Sequence, residues 1–357
     1  MKVAFCYRHL ILGGVCTQLA NRLTYLKDYI SPYLIFVQNH GGVHVFRGCR
    51  DIFVLPTHNE RVKFFKKNTF DIIIVIDTPE FYDALAKARV ASIVINEVHT
   101  TTTNLKYLGK LRKSTTSMKL VRELVAPSKY LCDRIKEEFK FEGVRPITHQ
   151  GNCIDISMFD YYENAPVSQK TIILWVGKID DHKNWEDFLR IAGRLIQDGF
   201  HGEFWLVGGQ TAPEEKGLKL FSMMLETGVM DQIRWLCQVD YKHMPGLYSM
   251  VAKSGGCTVI TSRNESFGMT AAEAMACKCP VVATDVGALS ELVIPDKTGM
   301  LFDLYDIGAG VRCVQNVLDD KELRQKFIDN SYEKIRTKYS IEVAGSNYLR
   351  FLQNLGG

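Results

Sequence analysis

Short runs of β-branched and other apolar residues alternate along the whole chain with longer stretches of helical character. This order is met by parallel strands joined through crossover helices. In the first half the strand-like runs fall at residues 3–7, 33–37, 71–76, 92–98, 123–126 and 146–149. In the second half they fall at 171–176, 203–207, 233–237, 258–261, 280–283 and 300–302, and residues 305–357 read mostly as helix. A chain of 357 residues exceeds what one hydrophobic core usually organises. The pattern therefore predicts two doubly wound α/β units in series. The polar stretch 160–170, with Asn164, Pro166 and Ser168, marks the break, giving domains 1–163 and 164–340. Sheets of this kind take ligands at the carboxyl ends of their strands, so two of them facing each other would create a cleft.

Composition narrows the class. Hydrophobic residues at 46% and charged residues at 24% describe a soluble globular protein, neither disordered nor fibrous. The run Ile72-Ile73-Ile74-Val75-Ile76 is far too short to cross a bilayer, and the start Met1-Lys2-Val3-Ala4 has no signal-peptide character. The expected location is the cytoplasm, including the inner face of the membrane. Ten cysteines without a repeating framework read as reduced thiols, and Cys277 and Cys279 lack the partners of a zinc site. Residues 1–150 hold 23 Lys and Arg against 13 Asp and Glu, a net +10, while 151–357 carry −6. Lys106, Lys110, Arg112, Lys113, Lys119 and Arg122, interleaved with apolar residues, form a basic segment over 106–122. It suits either a solvated helical face or an anionic membrane surface or acceptor. Without a recognition helix or RNP motif, nucleic acid is not an expected partner.

The most specific stretch is Ser262-Arg263-Asn264-Glu265-Ser266-Phe267-Gly268-Met269-Thr270-Ala271-Ala272-Glu273-Ala274-Met275-Ala276, followed by Pro280-Val281-Val282-Ala283. A strand ending near Thr261 enters a loop, and a helix begins near Gly268. The backbone amides of Phe267, Gly268 and Met269 then lie at a helix N-terminus, where the dipole favours a diphosphate. Glu265 in the loop and Glu273 in the helix are carboxylates suited to adjacent sugar hydroxyls and to a ribose.

This stretch resembles the signature of the retaining GT-B glycosyltransferases of family four. Further segments resemble the same family in order. Gly177-Lys178-Ile179-Asp180-Asp181-His182-Lys183 is similar to its Gly-Arg-x-x-x-x-Lys loop, whose two cations hold the donor diphosphate; Lys178 keeps the charge of the usual Arg but not its planar fork. Val207-Gly208-Gly209 resembles its next glycine turn, and Cys237-Gln238-Val239-Asp240 stands where the nucleobase stacks. In the first half, Gly13-Gly14 resembles the family's glycine pair near the donor phosphate, and His99 its histidine near the sugar C6 hydroxyl and anomeric centre. Lys278 stands where the family ends its helix with Gly, so a left-handed cap there would cost roughly 1 kcal/mol. Gly287-Ala288-Leu289-Ser290-Glu291 replaces the common Gly-Gly-x-Pro-Glu.

The resemblance implies a GT-B fold with an N-terminal acceptor-binding domain and a C-terminal nucleotide-sugar domain, the last helix (341–357) packing back on the first. It implies retaining transfer of a hexose from a UDP- or GDP-sugar to a carbohydrate, glycolipid or small-metabolite acceptor. Catalytic roles fall on His99, Lys183 and Glu265, and donor contacts on Gly13, Gly14, Lys178, Phe267, Gly268, Met269 and Glu273. No hydrophobically flanked Asp-x-Asp occurs, so neither metal nor cofactor is expected. The alternatives are a sugar-nucleotide epimerase or hydrolase of the same architecture, or a non-catalytic membrane- or partner-binding protein with a vestigial donor site.

Overall fold

The structure, a computed structural model, describes residues 1–46, 48–99, 119–139, 146–209 and 212–356. It divides into two compact units, Met1–Cys153 with Tyr339–Gly357, and Ile154–Lys338.

In the first unit the described strands are β1 (Lys2–Leu10), β2 (Ser31–Asn39), β3 (Ile52–Val54), β4 (Ile72–Ile76), β5 (Ile93–Glu97), β6 (Val121–Ala126) and β7 (Ile147–His149). The helices are α1 (Gly14–Leu26), α2 (His58–Lys67), α3 (Glu80–Ala88) and α4 (Lys129–Phe139). The sheet runs β3-β2-β1-β4-β5-β6-β7, with every pairing parallel. In β4 all five side chains are buried, because a parallel sheet is covered on both faces. Ile72, Ile74 and Ile76 pack with Leu19 and Leu23 of α1, whereas Ile73 and Val75 pack with Phe65 of α2, Leu85 of α3 and Leu131 of α4. Strand β3, the three residues Ile52–Val54 at the sheet edge, is absent from the sequence reading.

The second unit holds β8 (Ile172–Val176), α5 (Trp185–Gln197), β9 (Glu203–Val207), α6 (Glu214–Glu226), β10 (Ile233–Leu236), α7 (Met244–Lys253), β11 (Cys257–Ile260), α8 (Met269–Ala276), β12 (Val281–Thr284), α9 (Leu289–Leu292), β13 (Met300–Phe302), α10 (Ile307–Asp319) and α11 (Lys321–Lys338). Its sheet, β10-β9-β8-β11-β12-β13, repeats the first order counted from its own first strand and is again parallel. In both sheets the order reverses beside the first strand, which places the ligand-binding switch points between β1 and β4 and between β8 and β11.

The last helix, α12 (Ile341–Gly356), belongs to the first unit, where Tyr348, Leu349, Leu352 and Leu355 join the α1 face of the core. Residues 154–163, which composition groups with the first half, belong to the second unit; the Tyr162 backbone donates to Ser249 Oγ at 3.0 Å. The ten cysteines are free. Residues 106–118 of the basic segment lie outside the described residues. Arg122 is engaged within its unit, donating to the Leu355 carbonyl at 3.0 Å and so capping α12.

Candidate active site

The switch point of the second unit is formed by the loops leaving β8 and β11. Gly177 closes β8, and the backbone at Gly208 comes so near that a Cβ there would lie 2.1 Å from Gly177 O; Gly208 also has φ +114. Only glycine meets both demands. The loop then turns through Asp180, whose carboxylate accepts from the Lys183 backbone at 2.9 Å, and α5 starts from Asn184 in a left-handed conformation. Thr261, just past β11, ties the two loops together by donating to the Asn184 carbonyl at 2.8 Å.

Across this tie Lys183 Nζ donates to Glu265 Oε1 at 2.5 Å, and Ser262 Oγ donates to the same oxygen at 2.8 Å. Burial by itself would raise the Glu265 pKa, but the adjacent Lys183 ammonium outweighs it and holds the carboxyl below its ordinary value. Gly287 buttresses this loop. A Cβ at that position would sit 2.2 Å from Glu265 O, and the Ala288 backbone donates to the same carbonyl at 2.8 Å. Lys178 is exposed and makes no ion pair among the described residues.

Gly268 caps α8 in a left-handed conformation, φ +97, and a Cβ there would meet Leu289 at 2.8 Å. The helix has no side-chain N-cap hydrogen bond, and its positive end continues directly from the loop that carries Glu265. Phe267 is a core residue at 3% exposure.

Glu273, inside α8, is 7% exposed and accepts a hydrogen bond from the Tyr241 hydroxyl at 2.9 Å. Burial drives its pKa from 4.5 up to about 7, while Tyr241, Tyr248 and the charge on Lys183 act in the opposite direction. Lys183 thus stabilises the charge on both glutamates. Sequence reading missed Tyr241, whose hydroxyl reaches Glu273 from a different loop.

In the first unit Gly13 is the extended N-cap of α1, and a Cβ on Gly13 or Gly14 would meet nothing within 4 Å. Internal packing does not call for glycine at either place. His99 follows β5 and is buried, its backbone N–H donating to Asp77 Oδ2 at 3.0 Å. Its ring Nε2 lies 3.3 Å from Gln18 Nε2 and 3.7 Å from Glu97 Oε1. Glu97 is itself held by Arg22 Nη1 at 2.6 Å, and both side chains are fully enclosed. Burial opposes ionisation of Glu97, yet Arg22 prevails and keeps its pKa at about 2. Tyr348 of α12 stacks 3.8 Å from the Arg22 guanidinium and donates to Glu97 Oε2 at 3.5 Å. Gln18 and Arg22 are one helical turn apart, and Glu97 and His99 share one side of an extended chain. That spacing is the signal from which the network was readable.

Lys278 adopts φ +56, as a residue in the glycine position of a helix end must. Its ammonium lies 5.1 Å from both the Tyr161 and Tyr332 rings, contacts that offset the backbone strain. Among the described residues no group of three His, Cys, Asp or Glu is placed to hold a metal ion, and no helix is long and apolar enough to cross a membrane.

Two tandem doubly wound units of this strand order define the GT-B architecture. Solved structures agree: Anabaena Alr3699/HepE in complex with UDP has a TM-score of 0.83 at 16% identity, covering 99% of this chain and 100% of that one. Sucrose-phosphate synthase from Thermosynechococcus elongatus has a TM-score of 0.78 at 18% identity, covering 99% of each. Residues 162–334, which lie within the second unit, match the family of glycosyl transferases group 1. Among curated relatives, alpha-D-kanosaminyltransferase of Streptomyces kanamyceticus is 26% identical over 195 residues, 54% of this chain and 48% of that protein. D-inositol 3-phosphate glycosyltransferase of Salinispora arenicola is 32% identical over 158 residues, 43% and 34% of the two chains. The matched region spans about half or less of these relatives.

Proposed function

We propose that the protein is a retaining, metal-independent glycosyltransferase that moves a hexose from a nucleotide diphosphate sugar to a carbohydrate, glycolipid or small-metabolite acceptor. The carrying observation is the Lys183–Glu265 pair at the β8/β11 switch point, beside the N-terminus of α8, which has no side-chain cap hydrogen bond. A departing nucleoside diphosphate needs preorganised positive charge. Lys183, the unpaired Lys178 and the amides of residues 267–269 supply it in this reading, without a protein nucleophile. Glu265 accepts from sugar hydroxyls, and Glu273 accepts from the ribose in exchange for the Tyr241 hydroxyl that now donates to it. His99, with Gly13 and Gly14, faces the transferred sugar. Front-face attack within an ion pair retains configuration, the leaving phosphate taking the acceptor proton. The basic segment 106–122, by its charge, suits an anionic acceptor or membrane surface.

HepE has been solved with UDP and with UDP-glucose, which makes UDP-sugars the first donors to test. Mass spectrometry of the protein incubated with a panel of UDP- and GDP-sugars is expected to reveal slow release of free sugar and nucleoside diphosphate. An intact panel, with no thermal shift by UDP or GDP, contradicts the proposal.

A further inference from the structure

We propose that Gln18 and Glu97 are positioning residues that fix His99 as its Nε2–H tautomer, so that Nδ1 presents a lone pair to a hydroxyl of the transferred sugar. The last clause rests on the glycosyltransferase reading; the tautomer does not.

One ring nitrogen faces both partners, since Nε2 lies 3.3 Å from the Gln18 amide and 3.7 Å from Glu97 Oε1. Glu97 is ionised, because Arg22 binds it at 2.6 Å inside the core. A lone pair on Nε2 would point toward that anion and be repelled, whereas an N–H there is attracted. The Gln18 side chain can accommodate that proton. It is wholly buried, its Oε1 has no hydrogen-bond partner, and its amide nitrogen is the atom turned toward His99. A half-turn of the amide exchanges the two ends. The oxygen then accepts from His99 Nε2–H while the amide NH2 takes the partnerless place, so Gln18 can accept the proton that Glu97 selects.

The Glu97 charge selects this proton position, Gln18 can accept the proton, and Nδ1 makes no hydrogen bond among the described residues. The main chain that carries the ring is held by the His99 backbone bond to Asp77. Tyr348 completes the support: its stacking on Arg22 holds the guanidinium that holds Glu97, tying the C-terminal helix to the histidine. A neutral acceptor nitrogen takes a hydroxyl and repels a carboxylate. The preferred donor is therefore a hexose with a free hydroxyl facing His99, in preference to the corresponding uronic acid.

The test is long-range proton–nitrogen NMR of the full chain carrying ¹⁵N-labelled histidine, with His99 assigned by its loss in His99→Gln. At pH 8 the expected result is a protonated Nε2 and a bare Nδ1. Gln18→Met is expected to admit the other tautomer and to lower kcat roughly tenfold or more, with a smaller change in donor KM. Glu97→Gln should do the same, and where loss of the Arg22 partner prevents folding, Gln18→Met carries the test. A proton on Nδ1 in the wild type, or a Gln18→Met protein whose His99 signals match those of the wild type, overturns the proposal. The spectra need no substrate. A chain with the expected tautomer but no transfer from any sugar nucleotide would count against the proposed function and leave the tautomer standing.

Discussion

Glu273→Gln exchanges a buried carboxylate for a neutral side chain of similar shape, and the structure sets both the sign and the size of the effect. The Glu273 carboxyl lies among Tyr241, Tyr248 and the body of α8, and its pKa is about 7 in the folded protein against an ordinary 4.5. Between those values the folded state keeps a proton that the unfolded state has lost. Stability contributed by this group is complete below pH 4.5, falls as pH rises through that window, and is gone above about 7. The gap corresponds to about 3 kcal/mol. Glutamine carries no such penalty and still accepts from Tyr241. The variant should therefore match the wild type near pH 4.5 and exceed it by about 3 kcal/mol at pH 8.

The assay is urea unfolding followed by tryptophan fluorescence at pH 5, 6, 7 and 8. The four tryptophans, Trp175, Trp185, Trp205 and Trp235, all belong to the second unit, so the signal reports that unit alone. A difference independent of pH, or a variant no more stable than the wild type at pH 8, refutes the reasoning. The gain should come with a loss, since a neutral amide is a poorer acceptor for a ribose: UDP binding is expected to weaken about tenfold or more.

Other substitutions probe the remaining parts of the site. Lys183→Ala removes the cation that holds Glu265 ionised and should lower turnover roughly a hundredfold or more, measured as sugar transfer at saturating donor; near-normal kinetics would exclude its role. Gly287→Ala places a Cβ against Glu265 O at 2.2 Å, in a backbone at φ +58. It should lower both the melting temperature and turnover, and a variant indistinguishable from the wild type would show that the two loops do not support each other. Lys278→Gly relieves roughly 1 kcal/mol of left-handed strain but deletes two cation–π contacts of similar worth, so its unfolding free energy should stay within about 1 kcal/mol of the wild type.

The parallel architecture was legible because fully buried strands such as β4 read as unbroken apolar runs, and because the loop before α8 carries residues whose types follow from its position at a helix start. The grouping of Lys183 with Glu265 was legible for the same reason: they lie at the ends of neighbouring strands, where a doubly wound sheet gathers its loops. What remained hidden depends on tertiary approach. Tyr241 meets Glu273 only because the loop before α7 folds over α8, and Tyr348 reaches Arg22 across nearly the full length of the chain. Residues 154–163 lead into the polar break at 160–170 and so read as the end of the first half, yet the Tyr162 bond to Ser249 fastens them to the second unit. No local pattern announces such a partner.

The central claim is that the notch between the β8 and β11 loops grips a pyrophosphate. A crystal structure of the protein with a UDP-sugar tests it most directly. The expected result is phosphate oxygens within about 3 Å of Lys183 Nζ and of the α8 amides, with Glu265 on sugar hydroxyls and Glu273 released from Tyr241 onto the ribose. Nucleotide bound elsewhere, with the Lys183–Glu265 and Tyr241–Glu273 bonds unchanged, would contradict it.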